Sequence, residues 1–453
     1  MDTFEKPPQH CEQSITFNSP WLSFERQSLP TLHGNATCEV AVVGGGISGF
    51  ATLYYLLTQT NKSVILLEQG QIASQATGNN AGLACIHIER PIQELVEEFG
   101  LEKTRQSFLE VDQSWDLMVS ILDTINAKEL LLPLPHISLA MTSVDVLLGH
   151  IEREKYNREF GRNKWHYYVV DDPKIVPQLP PQQDVGIKII SKEALLKMLD
   201  IVDEDFIAVA VPQDDLKIGR LNSAKFCHEI LKFLSKHYPE RVCVYENTPI
   251  SSIVEGDSLI LTHPQGKVTA EDVVLCTNGY KNFEIQTKSG TILQRLSTGL
   301  TPREGYMVGF ADAIRKPYAQ AFFDDRGIYP ESPYFYLSHT HQFTVLGGPE
   351  FDEPDGHHNQ ETIVQRASVS HEIYRKFLNA TYNINECTFT HSWYGIMGYT
   401  ANGVRWVGQE PQLRHLWYNL GCNGIGITTS IGGAKRLVAL LQGQSQPPSI
   451  FDP

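Results

Sequence analysis

The order of apolar and polar positions predicts a strand, a helix and a second strand near the start of the chain. Residues 39–43 form a β-branched apolar run, followed at once by three glycines and a helical stretch over residues 50–57. A second apolar run over residues 63–67 ends in an acid, Glu68. This order, with its glycine turn, is typical of a βαβ dinucleotide-binding unit.

Each glycine of this turn has a physical role in the motif. Gly44 permits the tight turn, Gly46 lets the backbone approach a pyrophosphate, and Gly49 allows the helix to pack closely on the strand. The helix N-terminus offers N–H groups and a positive dipole end to phosphate oxygens. Glu68 would accept a hydrogen bond from a ribose 2′-hydroxyl. The motif predicts an adenine dinucleotide and does not by itself choose between NAD and FAD.

The remaining apolar pattern predicts a helix–strand mixture with a second glycine-rich turn near the end. Helical spacing is found over residues 93–131 and from Asn222 to about His237. Short strands are expected over residues 133–215, and residues 286–386 are strand-rich and aromatic. A buried-type strand over residues 272–276 predicts a return to the first sheet.

The last predicted strand, residues 416–420, leads into the second glycine turn over residues 421–426. An apolar helix over residues 428–441 then follows. Two glycine-rich strand-to-helix turns at opposite ends of the chain therefore predict two helix N-termini directed at one ligand.

Composition narrows the classes of partner. The 453 residues carry a formal net charge of −15, which argues against nucleic acid or an anionic membrane as the main partner. No apolar run has the length of about 18 residues that a membrane span needs, and the first residues do not resemble a secretory signal. Eight cysteines without CxxC spacing predict reduced thiols and a cytoplasmic protein.

Sixteen histidines raise the question of a metal site. The clusters His339–His341 and His357–His358 have no suitably spaced cysteine or carboxylate beside them. Exposed loop histidines are therefore the interpretation, and no metal is expected. His87, just after the loop over residues 74–82, is a candidate for a place near a ligand.

Six motifs in order resemble the D-amino acid oxidase-like family of FAD-dependent oxidoreductases. They are the βαβ unit and residues 74–82, 274–280, 302–307, 393–400 with 407–408, and 421–426. Residues 29–34 and 334–348 are, within that family, most similar to γ-glutamylputrescine oxidase-like and glycine oxidase-like members. The resemblance covers residues 29–441.

The resemblance implies an α/β fold of two domains: a Rossmann-like FAD-binding domain with an inserted antiparallel-sheet substrate domain. Residues 1–38 are expected to form an N-terminal arm on the surface. The FAD-binding domain would comprise residues 39–105, 205–285 and 387–453. The substrate-binding domain would comprise residues 106–204 and 286–386.

The cofactor implied is FAD. Reduced flavin carries negative charge along its pyrimidine edge, and the N–H groups after the second glycine turn would stabilise it. Where relatives attach the flavin covalently, this chain has Asn79 and Met397, so non-covalent binding is expected. The resemblance implies these cofactor-binding residues: Gly44, Gly46, Ile47, Ser48, Gly49, Glu68, Gln69, Ser74, Ala76, Thr77, Asn79, Asn80, Ala81, Gly82, Leu83, Ile250, Thr277, Asn278, Gly279, Gly395, Met397, Gly421, Asn423, Gly424, Ile425, Gly426 and Ile427.

The activity implied is oxidation of the C–N bond of a small amine or amino acid. Hydride would pass to flavin N5, water would hydrolyse the resulting imine, and O2 or another acceptor would reoxidise the flavin. Tyr306, Tyr336, Trp393 and His339 are the expected catalytic-site residues, with Tyr334 and Tyr394 as further candidates. Core packing is the alternative role for each aromatic residue. The oligomeric state is left open.

The chain departs from amino acid-oxidising relatives at the arginine that binds the substrate carboxylate. The corresponding position is Tyr336 or His339, depending on the alignment. Either the substrate lacks an α-carboxylate, or an arginine elsewhere binds it; the candidates are Arg303, Arg326 and Arg405. Where some relatives have a lysine that aids oxygen activation, this chain has Val345, which leaves a dehydrogenase open.

Two other functions remain as alternatives. The loop over residues 76–79 also resembles that of tRNA wobble-uridine-modifying FAD oxidoreductases, although the acidic charge disfavours tRNA as a partner. The absent arginine and lysine also permit a catalytically silent flavin-binding scaffold protein. Intact cofactor motifs argue against that second alternative.

Overall fold

The computed structural model describes residues 17–162, 164–181, 185–214, 216–311, 318–327, 334–340, 343–353 and 359–453. The strands in chain order are β1 Ala36–Val43, β2 Val64–Leu67, β3 Leu83–Cys85, β4 Leu131–Pro133, β5 Ile137–Met141, β6 Trp165–Val170, β7 Ile187–Ile190, β8 Ala208–Pro212, β9 Ile218–Leu221, β10 Val242–Tyr245, β11 Ser252–Glu255, β12 Leu259–His263, β13 Gly266–Leu275, β14 Glu284–Gln286, β15 Leu300–Phe310, β16 Tyr318–Phe323, β17 Tyr334–Thr340, β18 Phe343–Asp352, β19 His391–Thr400, β20 Trp406–Gln409 and β21 Leu416–Leu420. The helices are α1 Ile47–Gln59, α2 Ile92–Phe99, α3 Leu101–Thr124, α4 Val144–Glu159, α5 Lys192–Leu199, α6 Ser223–His237, α7 Arg295–Gly299, α8 Gln360–Tyr382 and α9 Ile427–Leu441.

The first sheet is built around β1, which lies between β2 and β13 and is parallel to both. The strand β21 is parallel to β13 on its other side. Alternate residues of these strands face opposite ways, so Val40 and Val42 pack on the helices while Ala41 and Val43 pack on the other face. The helices α1, α3, α6 and α9 form the layer on the first of these faces.

The second sheet is largely antiparallel and has the order β19-β15-β18-β17-β16-β5-β8-β6-β7. Its core includes Phe322, Phe335 and Phe377, the last of which lies on α8. A small third sheet has the order β3-β9-β4. Its strands occur where the chain passes from one large sheet to the other. The mixed α/β fold expected from the sequence is confirmed.

The sheets divide the chain at positions that differ from the expected domain boundaries. The strand β19 belongs to the second sheet, although residues 387–453 were expected in the cofactor domain. The strand β8 also belongs to the second sheet, although it follows residue 205. The helix α3 extends to Thr124 and packs on α9, so it belongs with the first sheet, although residues from 106 onward were expected in the substrate domain.

Four described helices, α4, α5, α7 and α8, lie in segments where the sequence pattern indicated strands, and α4 and α8 are the longest of them. The helix α4 buries Leu147, Ile151, Glu154 and Asn157, so two of its four inward positions are polar. This mixture weakens the apolar periodicity that would reveal a helix. The helix α8 is similarly polar on much of its surface. The buried residues of α8 pack against the second sheet, so the apolar face of this helix is recognisable only once that sheet is known.

The turn between β1 and α1 depends on the absence of a side chain at Gly49. A Cβ atom there would lie 1.9 Å from the carbonyl oxygen of Gly44. We expect Gly49→Ala to lower the free energy of unfolding by about 2 kcal/mol or more, because the helix must move away from the strand. Denaturant unfolding monitored by circular dichroism measures this change.

The matched control is Gly149→Ala in the middle of α4. A Cβ atom at Gly149 meets no described atom within 4 Å, so alanine should raise the free energy of unfolding by about 0.5–1 kcal/mol. Equal effects of the two substitutions would contradict the close contact at Gly49.

Candidate functional site

One cavity extends from the glycine turn of the first sheet to the inner face of the second sheet. Its volume is about 460 Å³, which is within the usual range for small-molecule sites. At one end its wall includes Gly44, Gly46 and Gly426; at the other it includes Tyr334 and Tyr336. Because the wall is continuous, a ligand in the first part can contact a second molecule in the other.

Two helix N-termini meet at the first part of the cavity. The helix α1 begins after Gly46 and α9 begins after Gly426, and neither of these N-cap glycines has a side chain to cap its helix. Gly44, with φ of +107°, brings this turn against the strand β13, where a Cβ atom would lie 2.6 Å from the carbonyl oxygen of Cys276. The uncapped N-termini and this side-chain-free turn suit a diphosphate.

Glu68 lies at the end of β2, where the sequence motif requires an acid. Its Oε2 accepts a hydrogen bond of 2.7 Å from the backbone N–H of Gly45, and Oε1 accepts one of 2.8 Å from Gly70. Burial raises the pKa of Glu68. Since a carboxylate oxygen has two lone pairs, each oxygen can also accept a ligand hydroxyl.

The loop over residues 74–82 is held against α1 by short polar contacts. The Thr77 hydroxyl accepts a hydrogen bond of 2.9 Å from the N–H of Ile47. The Asn80 amide donates to the Thr77 carbonyl and to Ser223 Oγ, at 2.8 Å each. The Asn80 carbonyl accepts from the indole N–H groups of Trp21 and Trp393, at 2.6 and 3.1 Å. Trp21 belongs to the arm, which is therefore partly buried rather than lying wholly on the surface.

A second polar contact joins the strand ends near α9. Asn278, with φ of +51°, accepts hydrogen bonds from the N–H of Cys422 at 3.0 Å and of Gly398 at 3.3 Å. Asn423 accepts a bond of 2.9 Å from the N–H of Thr400 and donates one to the Gly421 carbonyl. These bonds bring the first sheet, β19 and the second glycine turn to one place.

Most of the expected cofactor residues line the cavity. Those that do are Gly44, Gly46, Ile47, Ser48, Glu68, Gln69, Ser74, Ala76, Thr77, Asn79, Asn80, Ala81, Gly82, Leu83, Ile250, Thr277, Asn278, Gly395, Met397, Gly424, Ile425, Gly426 and Ile427. Gly49, Gly279, Gly421 and Asn423 are not among the described lining residues. A Cβ atom at Gly279 would lie 2.6 Å from the Met397 carbonyl oxygen, so this glycine permits backbone contact behind the wall.

Of the four expected catalytic-site residues, Tyr336 lines the cavity. The structure differs from expectation for the other three, which are absent from the described wall. Tyr306 is buried with its hydroxyl donating to Glu304, and Trp393 lies behind Asn80. His339 is buried and contacts Thr344, since its position on β17 faces the side of the sheet away from the cavity.

Three arginines were candidates for binding a substrate carboxylate. Arg303 forms an ion pair with Asp352 at 2.6 Å, and Arg326 forms ion pairs with Asp203, Asp205 and Asp324. Neither is among the described lining residues.

Arg405 does line the cavity, but it donates to Asn419 and Ser48 beside the first glycine turn. Burial lowers the pKa of Arg405 to about 10. This arginine is therefore engaged in the cofactor part of the cavity.

A group of charged and polar side chains at the second end was missed by the sequence interpretation. Glu350 accepts hydrogen bonds of 2.9 Å from the hydroxyls of Tyr334 and Tyr399. Burial raises the pKa of Glu350 and also that of Glu89, the latter to about 7. Glu89 is two residues after His87, the one candidate in this loop that the sequence offered.

Arg153, Arg162 and His150 complete this wall. They reach it from α4 and from the segment that follows it. No motif marks these positions, because α4 is brought to the cavity by the packing of the second sheet.

The described residues contain neither a group suited to a metal ion nor a membrane-spanning helix. Within the described parts of the chain, no three His, Cys, Asp or Glu side chains are grouped so that they could bind a metal ion. His341, His357 and His358 lie outside the described residues. Among the helices that the structure describes, none has both the length and the apolar character needed to cross a membrane.

The chain matches the sequence model of the FAD dependent oxidoreductase (DAO) family over residues 39–440. It is 21% identical over 256 residues to gamma-glutamylputrescine oxidoreductase of Escherichia coli (strain K12), a match that covers 56% of this chain and 52% of that protein. It is 23% identical over 241 residues to glycine oxidase of Bacillus subtilis (strain 168), covering 53% of each. The chain therefore spans about half the length of these curated relatives.

Among solved structures, the crystal structure of glycine oxidase from Geobacillus kaustophilus is similar, with a TM-score of 0.65 and 15% identity. The match covers 93% of this chain and 98% of that one. At this identity the likeness establishes the fold alone. The family resemblance inferred from the six motifs, and FAD as the cofactor, are confirmed by the family match.

Trp393 tests how the loop over residues 74–82 is held. We expect Trp393→Phe to weaken FAD binding by about fivefold, because an aromatic ring remains but the indole hydrogen bond to the Asn80 carbonyl, worth about 1 kcal/mol, is lost. Fluorescence titration of the apoprotein with FAD measures the dissociation constant. Trp417→Phe is the control, since the Trp417 indole donates to Asp272 instead. Equal FAD affinity in both variants would contradict the assigned contact.

The pH dependence of stability tests whether the Glu89 carboxyl is desolvated in the cavity. Of its side-chain surface 41% is accessible, but this surface faces the interior cavity, and the pKa is raised from 4.5 to about 7. A raised carboxyl pKa gives stability at low pH that is lost as the pH rises through about 7. The melting temperature of Glu89→Gln should therefore increase relative to wild type between pH 5 and 8.

Glu97→Gln is the control for this experiment, because it removes one negative charge from an exposed surface position. Parallel melting curves for wild type and Glu89→Gln across the pH range would show that Glu89 is not desolvated.

Proposed function

Because the chain belongs to the family of FAD-dependent oxidoreductases, we propose that it oxidises the C–N bond of a small amine or amino acid. The observation that carries this proposal is the continuous cavity between the two glycine turns and the polar wall of the second sheet. A cofactor alone would need only the first part. The second part has the tyrosines and carboxyl groups that suit an amine.

The cofactor would be held at the two uncapped helix N-termini. The turn at Gly44–Gly46 suits its diphosphate, and the N–H groups after Gly426 suit the pyrimidine edge of the flavin. Bound FAD supplies a two-electron acceptor that takes hydride at its N5 atom. Asn79 and Met397 line the cavity without an atom able to form the covalent links seen with His or Cys, and this supports non-covalent binding.

Glu89 is suited to remove a proton from the substrate. An amine loses hydride readily only when its nitrogen is neutral, whereas free amines are protonated near neutral pH. With a pKa of about 7, the Glu89 carboxyl can accept that proton near physiological pH. A Cβ atom at Gly424 would lie 3.2 Å from Glu89 Cγ, so this acid is adjacent to the second glycine turn.

Glu350 and the tyrosines are suited to position the substrate. The Glu350 carboxylate already accepts two tyrosine hydroxyls, which fixes its orientation toward the cavity. Tyr336 lies across Gly347, where a Cβ atom would be only 2.3 Å from the ring. These aromatic faces would shield the reacting carbon from water during hydride transfer.

The test is anaerobic reduction of the bound flavin. The FAD-loaded protein is mixed with a panel of amino acids, secondary amines and polyamines, and the visible absorption of oxidised flavin is followed. We expect at least one member to bleach it. Dithionite serves as the control that the flavin can be reduced. A flavin that dithionite reduces but no panel member does would refute the proposal and favour a binding role.

A further inference from the structure

We propose that Arg153 and its two neighbouring histidines, His87 and His150, form an anion subsite that binds a carboxylate of the substrate. This inference rests on the proposed function, and it narrows the substrate to an amino acid or another amine that carries a carboxylate. Arg153 is then a specificity-determining residue, and it lies on the helix α4 rather than on a strand of the second sheet.

The position of Arg153 is the first argument. It lines the cavity from α4, opposite the loop that connects β3 and α2. Its Nη1 lies 3.2 Å from Nε2 of His87, and its Nη2 lies 3.5 and 3.4 Å from the carbonyl oxygens of Ile88 and Glu89. These contacts are longer than the usual 2.9–3.0 Å for an N–H donor, so they orient the guanidinium without satisfying it.

Charge is the second argument. In the described part of the chain, no carboxylate oxygen lies within ion-pair distance of Arg153. The neighbouring Arg162 is paired with Asp112 at 2.7 Å, and Arg158 with Glu154 at 2.8 Å. Burial lowers the pKa of Arg153, and the nearby Glu89 carboxyl, although beyond ion-pair distance, partly offsets this effect. Because the pKa of Glu89 is about 7, this acid is only a partial counter-charge near neutral pH, and a bound carboxylate would complete the neutralisation of Arg153.

The two histidines are the third argument. Burial lowers the pKa of His87 well below its ordinary value and that of His150 to about 3, so both rings are neutral near pH 7. A neutral ring can accept the N–H of Arg153, as the contact with His87 requires, and can donate through its other nitrogen. His150 is fixed edge-on to Phe323 with ring centroids 4.7 Å apart. The two histidines therefore add hydrogen-bonding groups to the Arg153 charge without adding charge of their own, which suits one carboxylate.

A simple diamine or polyamine does not suit this wall. Its cationic ends could approach Glu350 or Glu89, but a second cation near Arg153 would be repelled. An amine that also carries a carboxylate can place its amino group near Glu350 or Glu89 and its carboxylate near Arg153. The charge distribution therefore favours a substrate with both signs of charge.

The experiment measures carboxylate binding in the FAD-loaded protein without turnover. Acetate and propionate are titrated, with acetamide and propionamide as neutral probes of the same shape, and the perturbation of the flavin absorption spectrum gives the dissociation constants. We expect saturable binding of the carboxylates and binding of the amides that is at least about tenfold weaker.

Variants assign this binding to Arg153. Arg153→Gln should weaken carboxylate binding by about tenfold or more, and Arg153→Lys should retain part of it, because the charge is kept while the paired donors are lost. Lys155→Gln removes a charge from the exposed side of the same helix and should leave binding unchanged. Flavin content and melting temperature are measured for each variant, so that misfolding is recognised.

Several outcomes would overturn the inference. They are carboxylate binding that is equal in wild type and in a folded, flavin-loaded Arg153→Gln protein, binding of amides as tightly as carboxylates, and binding of inorganic phosphate more tightly than acetate. Bleaching of the flavin by an amine without a carboxylate, together with no carboxylate binding, would refute this inference and leave the proposed function intact. Arg153-dependent carboxylate binding together with no bleaching of the flavin by any amine would refute the proposed function and leave the anion subsite at Arg153 intact.

Discussion

The structure depends on the close approach of α1 to the strand that precedes it. This approach is possible because Gly49 has no side chain between the helix and the carbonyl oxygen of Gly44. It directs the uncapped N-terminus of α1 toward the cavity, where the N-terminus of α9 arrives from the other end of the chain. Two positive dipole ends in one place are unfavourable unless an electron-rich ligand lies between them. The family match identifies that ligand as FAD.

Side-chain amides hold the separate parts of this site together. Asn80 joins the loop over residues 74–82 to α6 and to two tryptophans, one of them from the N-terminal arm. Asn278 joins the end of β13 to β19 and to the second glycine turn. Each amide replaces backbone hydrogen bonds that irregular loops cannot make for themselves. The cofactor part of the cavity is therefore stabilised before any ligand binds.

The second part of the cavity has a different physical character. It contains acidic groups at Glu89 and Glu350 and a basic group at Arg153, all partly desolvated. Such groups are costly to bury unless they are paired or hydrogen-bonded, and perturbed groups of this kind cluster at ligand sites. The acids suit the amine that the proposed reaction requires, and the arginine suits a negative group at the other end of the same molecule.

The sequence by itself determined the cofactor part, because a glycine turn, its flanking strand and helix, and the acid at Glu68 are contiguous and obey local rules. The tertiary structure decided the substrate part. The helix α4 places polar Glu154 and Asn157 on its buried face, so its periodicity did not reveal a helix, and Arg153 could not be connected to His87 across 66 positions. Trp393 and Tyr306 were expected at the substrate because they are aromatic, yet the sheet turns them into the packing behind it. Local backbone geometry depends on residues that are neighbours in the sequence. The wall of a cavity depends on which faces of helices and strands, distant in the sequence, pack against each other.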